Sequence, residues 1–153
     1  MEQMQVKLRV NGSYHTVLIK PHESLREVLR RIGFTGVKKS CDVGGCGACT
    51  VLLNGDPVYS CCIFAAWSQD KEITTIEGIA SHGRLHPIQQ EFANLGAAQC
   101  GFCTPGLVVS AKALLDKTKQ PTEEEIRRAI AGNLCRCTGY VKVVDAIASA
   151  SKK

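Results

Sequence analysis

The chain has 153 residues, with 19 Lys and Arg against 14 Asp and Glu, a formal net charge of +5, and 44% hydrophobic and 22% charged residues. That length and balance suit one ordinary globular domain or two small ones, and no apolar run approaches the roughly 18 residues of a membrane span. No run of Lys or Arg exceeds two residues, as at Arg30-Arg31 and Arg127-Arg128, so the positive charge does not describe a nucleic-acid surface.

The first half reads as a small α+β unit. Val6, Leu8 and Val10 alternate with polar residues, the two-residue period of a strand. Asn11-Gly12 is a hairpin turn, and Tyr14 to Ile19 is β-branched and aromatic enough for the returning strand. Ser24 and Glu27 have the spacing of a capping box, after which Leu25, Val28, Leu29 and Ile32 fall on one helical face and Gly33 ends the helix. A glycine-rich loop then carries Cys41, Cys46 and Cys49. Thr50 to Leu53 is a short strand, Asn54-Gly55-Asp56 a second turn, Pro57 to Ser60 the approach to Cys61 and Cys62, and Glu72 to Ile76 a last strand.

After Gly83 the pattern turns helical. His86-Pro87 opens one helix, with Ile88, Phe92 and Leu95 on its inner face. Thr104-Pro105 opens a second, with Thr104 as N-cap, Pro105 at the first helical position and an apolar run from Leu107 to Leu115. Thr122 and Glu125 form a capping box for a third, and Tyr140 to Ser149 is a fourth. These predict a four-helix bundle, and the change of texture near Gly78 to Gly83 divides the chain into residues 1–80 and 81–153. Two units this small have thin cores, which bound metal would help to staple.

Nine cysteines are the chemically informative residues. The opening Met1-Glu2-Gln3-Met4-Gln5-Val6-Lys7 lacks the apolar stretch of a secretory signal, which predicts a cytoplasmic, reducing setting and metal ligation rather than disulfides. Cys41, Cys46 and Cys49 follow the C-x4-C-x2-C spacing of plant-type [2Fe–2S] ferredoxins. The residues between them, Gly44, Gly45, Gly47 and Ala48, are small enough to bring backbone close to inorganic sulfide. A fourth thiol arrives from the next hairpin, at Cys61 or its neighbour Cys62. In an extended segment these two point to opposite faces, so only one reaches the site and the other is expected to be a small buried hydrophobe. The second set, Cys100, Cys103, Cys135 and Cys137, reads C-x2-C-x31-C-x-C. Both of its pairs precede helices, whose positive ends favour an anionic cluster and lower thiol pKa values.

The plain alternative, a zinc knuckle on Cys46-Gly47-Ala48-Cys49, does not use Cys41, and C-x-C is less common for zinc than C-x2-C. A thioredoxin-like reading of Cys100-Gly101-Phe102-Cys103 lacks its βαβ frame. Gly33 to Ser40 lacks the phosphate-loop spacing, no G-x-G-x-x-G follows a strand, and no Ser/His/Asp set is visible. His15, His22, His82 and His86 form no ligand pair and read as surface or turn residues. Two oxidised [2Fe–2S] clusters of charge about −2 each would bring the net charge from +5 to about +1.

The stretches Gly36-Val37-Lys38-Lys39-Ser40-Cys41 through Gly45-Cys46-Gly47-Ala48-Cys49-Thr50-Val51, Gln99-Cys100-Gly101-Phe102-Cys103-Thr104-Pro105-Gly106 and Gly132-Asn133-Leu134-Cys135-Arg136-Cys137-Thr138-Gly139-Tyr140 resemble, in order, the cluster signatures of the small iron–sulfur subunit of molybdenum hydroxylases. The resemblance runs from about Val6 to Ala148. It implies an N-terminal β-grasp ferredoxin-like domain followed by a C-terminal helical domain, each with one [2Fe–2S] cluster. It places the fourth ligand of the first cluster directly after Ser60, at Cys61; Cys62 departs from the family, where an apolar residue is more usual. It also implies a large partner subunit with molybdopterin and a medium one with FAD, in a heterotrimer or its dimer. Electrons would pass from molybdopterin through the helical-domain cluster and the ferredoxin-like cluster to FAD. Gln99 and Cys137 match positions that approach the pterin.

The resemblance makes the holoenzyme an oxidoreductase that hydroxylates a heterocycle or an aldehyde, with this chain holding no substrate. The look of Ala65-Ala66-Trp67 favours a purine-like substrate. Two other readings are a freestanding two-cluster carrier and a zinc-stabilised interaction module. An obligate subunit should expose an apolar face, whereas a zinc module would be colourless.

Overall fold

The computed structural model describes residues 2–81 and 83–153, so His82 lies outside the described residues. Its first half is built on two hairpins. Strand β1 (Met4–Val10) pairs antiparallel with β2 (Ser13–Ile19), and β3 (Thr50–Leu53) with β4 (Asp56–Tyr59). Each hairpin turns on Asn-Gly, Asn11-Gly12 and Asn54-Gly55, with positive φ at both residues as the tight type I′ turn requires. Strand β5 (Glu72–Thr74) joins the hairpins by lying parallel to β1 and antiparallel to β3. The result is one mixed five-stranded sheet in the order β2-β1-β5-β3-β4.

Helix α1 (Leu25–Arg31) starts at the expected capping box, with Ser24 and Glu27 each accepting the other's backbone N–H. It buries Leu25, Val28 and Leu29 in one core with Val6, Leu8, Val10, Ile19, Val51 and Ile73 of the sheet. Full burial of each such side chain is worth about 1.5–3 kcal/mol.

The second half is helical: α2 (Pro87–Asn94), α3 (Thr104–Lys117), α4 (Glu123–Ile130) and α5 (Val141–Ala150). Helix α3 is the central one. It buries nearly every residue from Gly106 to Ala113 and packs against α2, α4 and strand β3. Ile88, Phe92, Leu107, Val109, Ile126, Ile130, Val143 and Ile147 form this core, and Leu52 of β3 and Ile79 belong to it too. The two halves are therefore packed against each other through β3 and α3.

Four local expectations need correction. Leu95 is exposed, because α2 ends at Asn94 and Leu95 is its C-cap. Thr104 is not the N-cap of α3; Cys103 takes that place, and the buried Thr104 hydroxyl finds no hydrogen-bond partner among the described residues. Strand β5 stops at Thr74, and Ile76–Gly78 is a 3-10 turn. Ser60–Cys62 is also a 3-10 turn rather than extended chain.

His86 does have a turn role. Its Nδ1 accepts from the Ile88 N–H at 3.3 Å, while its own N–H donates to Gln89 Oε1 at 3.0 Å. Among the described residues no helix is long and apolar enough to cross a membrane.

Candidate metal centres

The first cysteine loop is folded back on itself before any metal is considered. Lys38 N–H donates to Ala48 O at 3.2 Å, closing its base, and the Thr50 hydroxyl donates to Gly47 O at 2.6 Å. Arg30 of α1 pins the entry by donating to the carbonyls of Thr35 (2.9 Å) and Val37 (2.8 Å). Within this frame Cys41, Cys46, Cys49 and Cys61 line one small cavity together with Arg26, Lys38, Ser40 and Asp42.

The thiols in this cavity differ in environment. The backbone amides of Val43 and Gly45 (3.3 Å from the latter) and the Cys46 thiol point at Cys41 and pull its pKa down to about 6. Burial pushes Cys49, which faces Cys61, up to about 11. A bound metal would deprotonate all four.

Cys61 and Cys62 are separated differently from the alternation expected of a strand. In their 3-10 turn the two sulfurs are 3.6 Å apart. Cys61 lines the cavity with the other three thiols, whereas Cys62 is exposed and not the buried hydrophobe expected of it.

The second set lies where α3 and α5 begin. Cys103, the N-cap of α3, meets Cys135, and the more exposed Cys100 meets Cys137. Burial pushes Cys103 up to about 12. Burial acts to raise Cys135, but hydrogen bonds together outweigh it: the Thr138 hydroxyl (3.1 Å) and N–H (3.4 Å) donate to the sulfur, the Cys137 N–H and the Cys103 thiol add to them, and the pKa falls to about 7. Tyr140 holds the loop shape, its hydroxyl accepting from Cys135 N–H at 2.7 Å and donating to Asn133 O at 3.0 Å. Gln99 is exposed beside Cys100, on the side of the second set that reaches solvent.

The two loops touch, and sequence reading missed the residues that join them. Leu134, next to Cys135, donates its N–H to the carbonyl of Cys46 at 2.9 Å. Buried Asn133 donates from Nδ2 to Gly47 O (2.9 Å) and Thr50 Oγ1 (3.0 Å), and accepts from the Ser110 hydroxyl at 2.7 Å. The Tyr59 hydroxyl donates to Gly132 O at 3.0 Å. A Cβ on Gly47 would collide with Gly132 O, and one on Gly106 with Gly47 O.

The arrangement fits binuclear iron. In both sets the thiols meet in pairs, Cys41 with Cys46 and Cys49 with Cys61, then Cys103 with Cys135 and Cys100 with Cys137. Among the described residues no three His, Cys, Asp or Glu side chains are gathered as they would be around a single metal ion. Two thiolates for each of two irons, with backbone N–H groups aimed at sulfur, is the donor set of a [2Fe–2S] cluster.

Comparison with known proteins agrees with this chemistry. Residues 8–75 match the family model of the 2Fe-2S iron-sulfur cluster binding domain, and residues 75–148 that of the [2Fe-2S] binding domain. The small FeS subunit of nicotinate dehydrogenase from Eubacterium barkeri is 47% identical over 148 residues, covering 96% of this chain and 94% of that one. The iron-sulfur-binding subunit of xanthine dehydrogenase from Escherichia coli O157:H7 is 46% identical over 153 residues, covering 99% and 96%. The chain belongs to the [2Fe–2S] subunits of the molybdenum hydroxylase family.

This iron–sulfur subunit is one component of an oxidoreductase and is not catalytic alone. Quinoline 2-oxidoreductase from Pseudomonas putida 86 contains a chain that superposes with a TM-score of 0.95 at 35% identity, covering 99% of this subunit and 96% of that chain. Aldehyde oxidoreductase from Megalodesulfovibrio gigas is 43% identical over 97% of this subunit, which spans only 17% of that protein. There the same unit is one part of a longer chain.

Proposed function

We propose that this subunit carries electrons from a molybdopterin centre on a large partner subunit, through two [2Fe–2S] clusters, to FAD on a medium partner subunit. Residues 1–80 form the β-grasp ferredoxin-like domain, with Cys41, Cys46, Cys49 and Cys61 holding the first cluster. Residues 81–153 form the helical-bundle domain, with Cys100, Cys103, Cys135 and Cys137 holding the second. Gln99 and Cys137 face the pterin. The complex is a cytoplasmic heterotrimer or its dimer, and its substrate is a heterocycle or an aldehyde bound by the large subunit. The purine preference rests on Ala65-Ala66-Trp67 alone, since relatives named for nicotinate and for xanthine are 47% and 46% identical.

The observation that carries the relay is the hydrogen bond between the two cysteine loops. Leu134 N–H to Cys46 O, at 2.9 Å, runs from the carbonyl of one cysteine of the first set to the residue directly before Cys135 of the second. A short bridge of this kind, backed by buried Asn133, is what two redox centres in one chain need, and a zinc-stabilised module has no use for it.

The test is EPR of the dithionite-reduced protein. Two distinct S = 1/2 signals are expected, with a Cys→Ser change in one set abolishing one signal only. A single signal, or colourless protein containing zinc, would overturn the reading.

A further inference from the structure

The cavity where the first four thiols meet has a wall that ligation does not use. Arg26, on α1, is 3% exposed and lines that cavity beside Cys41, Cys46, Cys49 and Cys61. Its guanidinium is charged at any pH a protein meets. The charged groups around it are few. Asp42 forms an ion pair with Nη1, Glu27 stands 3.8 Å from Nη2, and both carboxylates reach solvent. Lys38 shares the cavity wall, and exposed Lys39 lies 3.7 Å from Asp42. Arg26 Nε, shut off from water, has no acceptor among the described residues.

Both carboxylate partners of this buried cation stand in solvent, so their charge is screened and negative charge on the dry cavity side still stabilises it. Four thiolates around a [2Fe–2S] centre are that charge. One-electron reduction adds a further negative charge, with no bond made and no proton taken. A fixed cation across a dry wall therefore favours the reduced form more than the oxidised one.

We propose that Arg26 sets the reduction potential of the first centre. Its buried charge makes that centre a better electron acceptor than the same four thiolates would be without it, and Asp42 tempers the effect. Arg26 is a positioning residue: it ligates nothing and holds no substrate. The inference rests on the first site holding a [2Fe–2S] cluster.

The experiment is an EPR-monitored redox titration of the purified complex. Arg26→Met should lower the affinity of the first centre for an electron at least tenfold, a fall of about 59 mV for a one-electron couple. The second centre should be unmoved, and Arg26→Lys should restore most of the loss. Should Arg26→Met leave Asp42 stranded and the loop unable to load, R26M/D42N compared with D42N reads the same charge without an orphaned carboxylate. A first centre whose potential is unchanged in R26M, or equal in R26M/D42N and D42N, overturns the proposal. Absence of the first signal in the unsubstituted complex overturns the cluster reading instead.

Discussion

Asn133 ties the two cysteine loops together from a buried position. Its amide uses both faces, donating to Gly47 O and Thr50 Oγ1 and accepting from Ser110. Asn133→Ala leaves buried partners unpaired, at about 1–3 kcal/mol. For a chain of this size that is roughly 2–4 °C of Tm per kcal/mol. Thermal denaturation of the loaded protein would read it, and a Tm within a degree of the parent would contradict the role. Nothing near Asn133 in sequence announces this, because its partner Gly47 lies 86 residues away. The gathering of the first cysteines was legible for the opposite reason: three of the thiols that line the first cavity lie within nine residues, and the geometry of such a loop is local. Cys62 marks the limit of that legibility. Alternation along a strand could not separate it from Cys61 once the segment had become a 3-10 turn. Exposure and the cavity wall separate them, so Cys62→Ser should keep both EPR signals while Cys61→Ser loses the first.

Elements whose signals are short-range were readable: two Asn-Gly hairpins and two capping boxes stand where the residues place them. Contacts between elements were not. Glu91 of α2 is buried and accepts from the Ser149 hydroxyl of α5 at 2.6 Å and from Lys153. These donors, Lys153 first, hold its carboxyl at about 2, well below the usual 4.5. A depressed carboxylate contributes stability in full above its unfolded pKa and loses it as pH falls through the folded value. The Tm gap between the parent and Glu91→Gln should therefore be constant from pH 8 to about pH 5 and shrink below about 4.5. A gap independent of pH down to about 3 would show that Glu91 acts through packing rather than charge. A second element-scale constraint is the close approach of α3 to the first loop. Gly106→Ala drives a methyl group into the Gly47 carbonyl. Overpacking of this kind costs about 1–3 kcal/mol. Because the contact lies between the two cysteine loops, both iron signals should weaken together while the far-UV circular dichroism stays near that of the parent.

At the scale of the whole molecule each cysteine set has its own exposed apolar neighbours. The first loop exposes Val43 at 80%, two residues beyond Cys41. The second set is flanked by exposed Phe102, Leu134 and Val141, with Cys100, Cys137 and Gln99 reaching solvent beside them. Apolar side chains left in water around a redox centre suit contact with another subunit better than a carrier that must stay soluble between encounters. An electron relay with one donor and one acceptor needs two such faces, each within reach of its own centre. On the proposed relay the second set, whose exposed thiols lie beside Gln99, would face the large molybdopterin subunit, and the first the flavin subunit. The faces should then be separable. Phe102→Asp with Leu134→Asp should cost the complex its large subunit in co-purification and leave the flavin subunit bound, with both EPR signals intact in what remains. Val43→Asp should do the reverse. Loss of both partners from either change, or of neither from both, would mean that docking does not follow the two centres, and the assignment of one partner to each would fall.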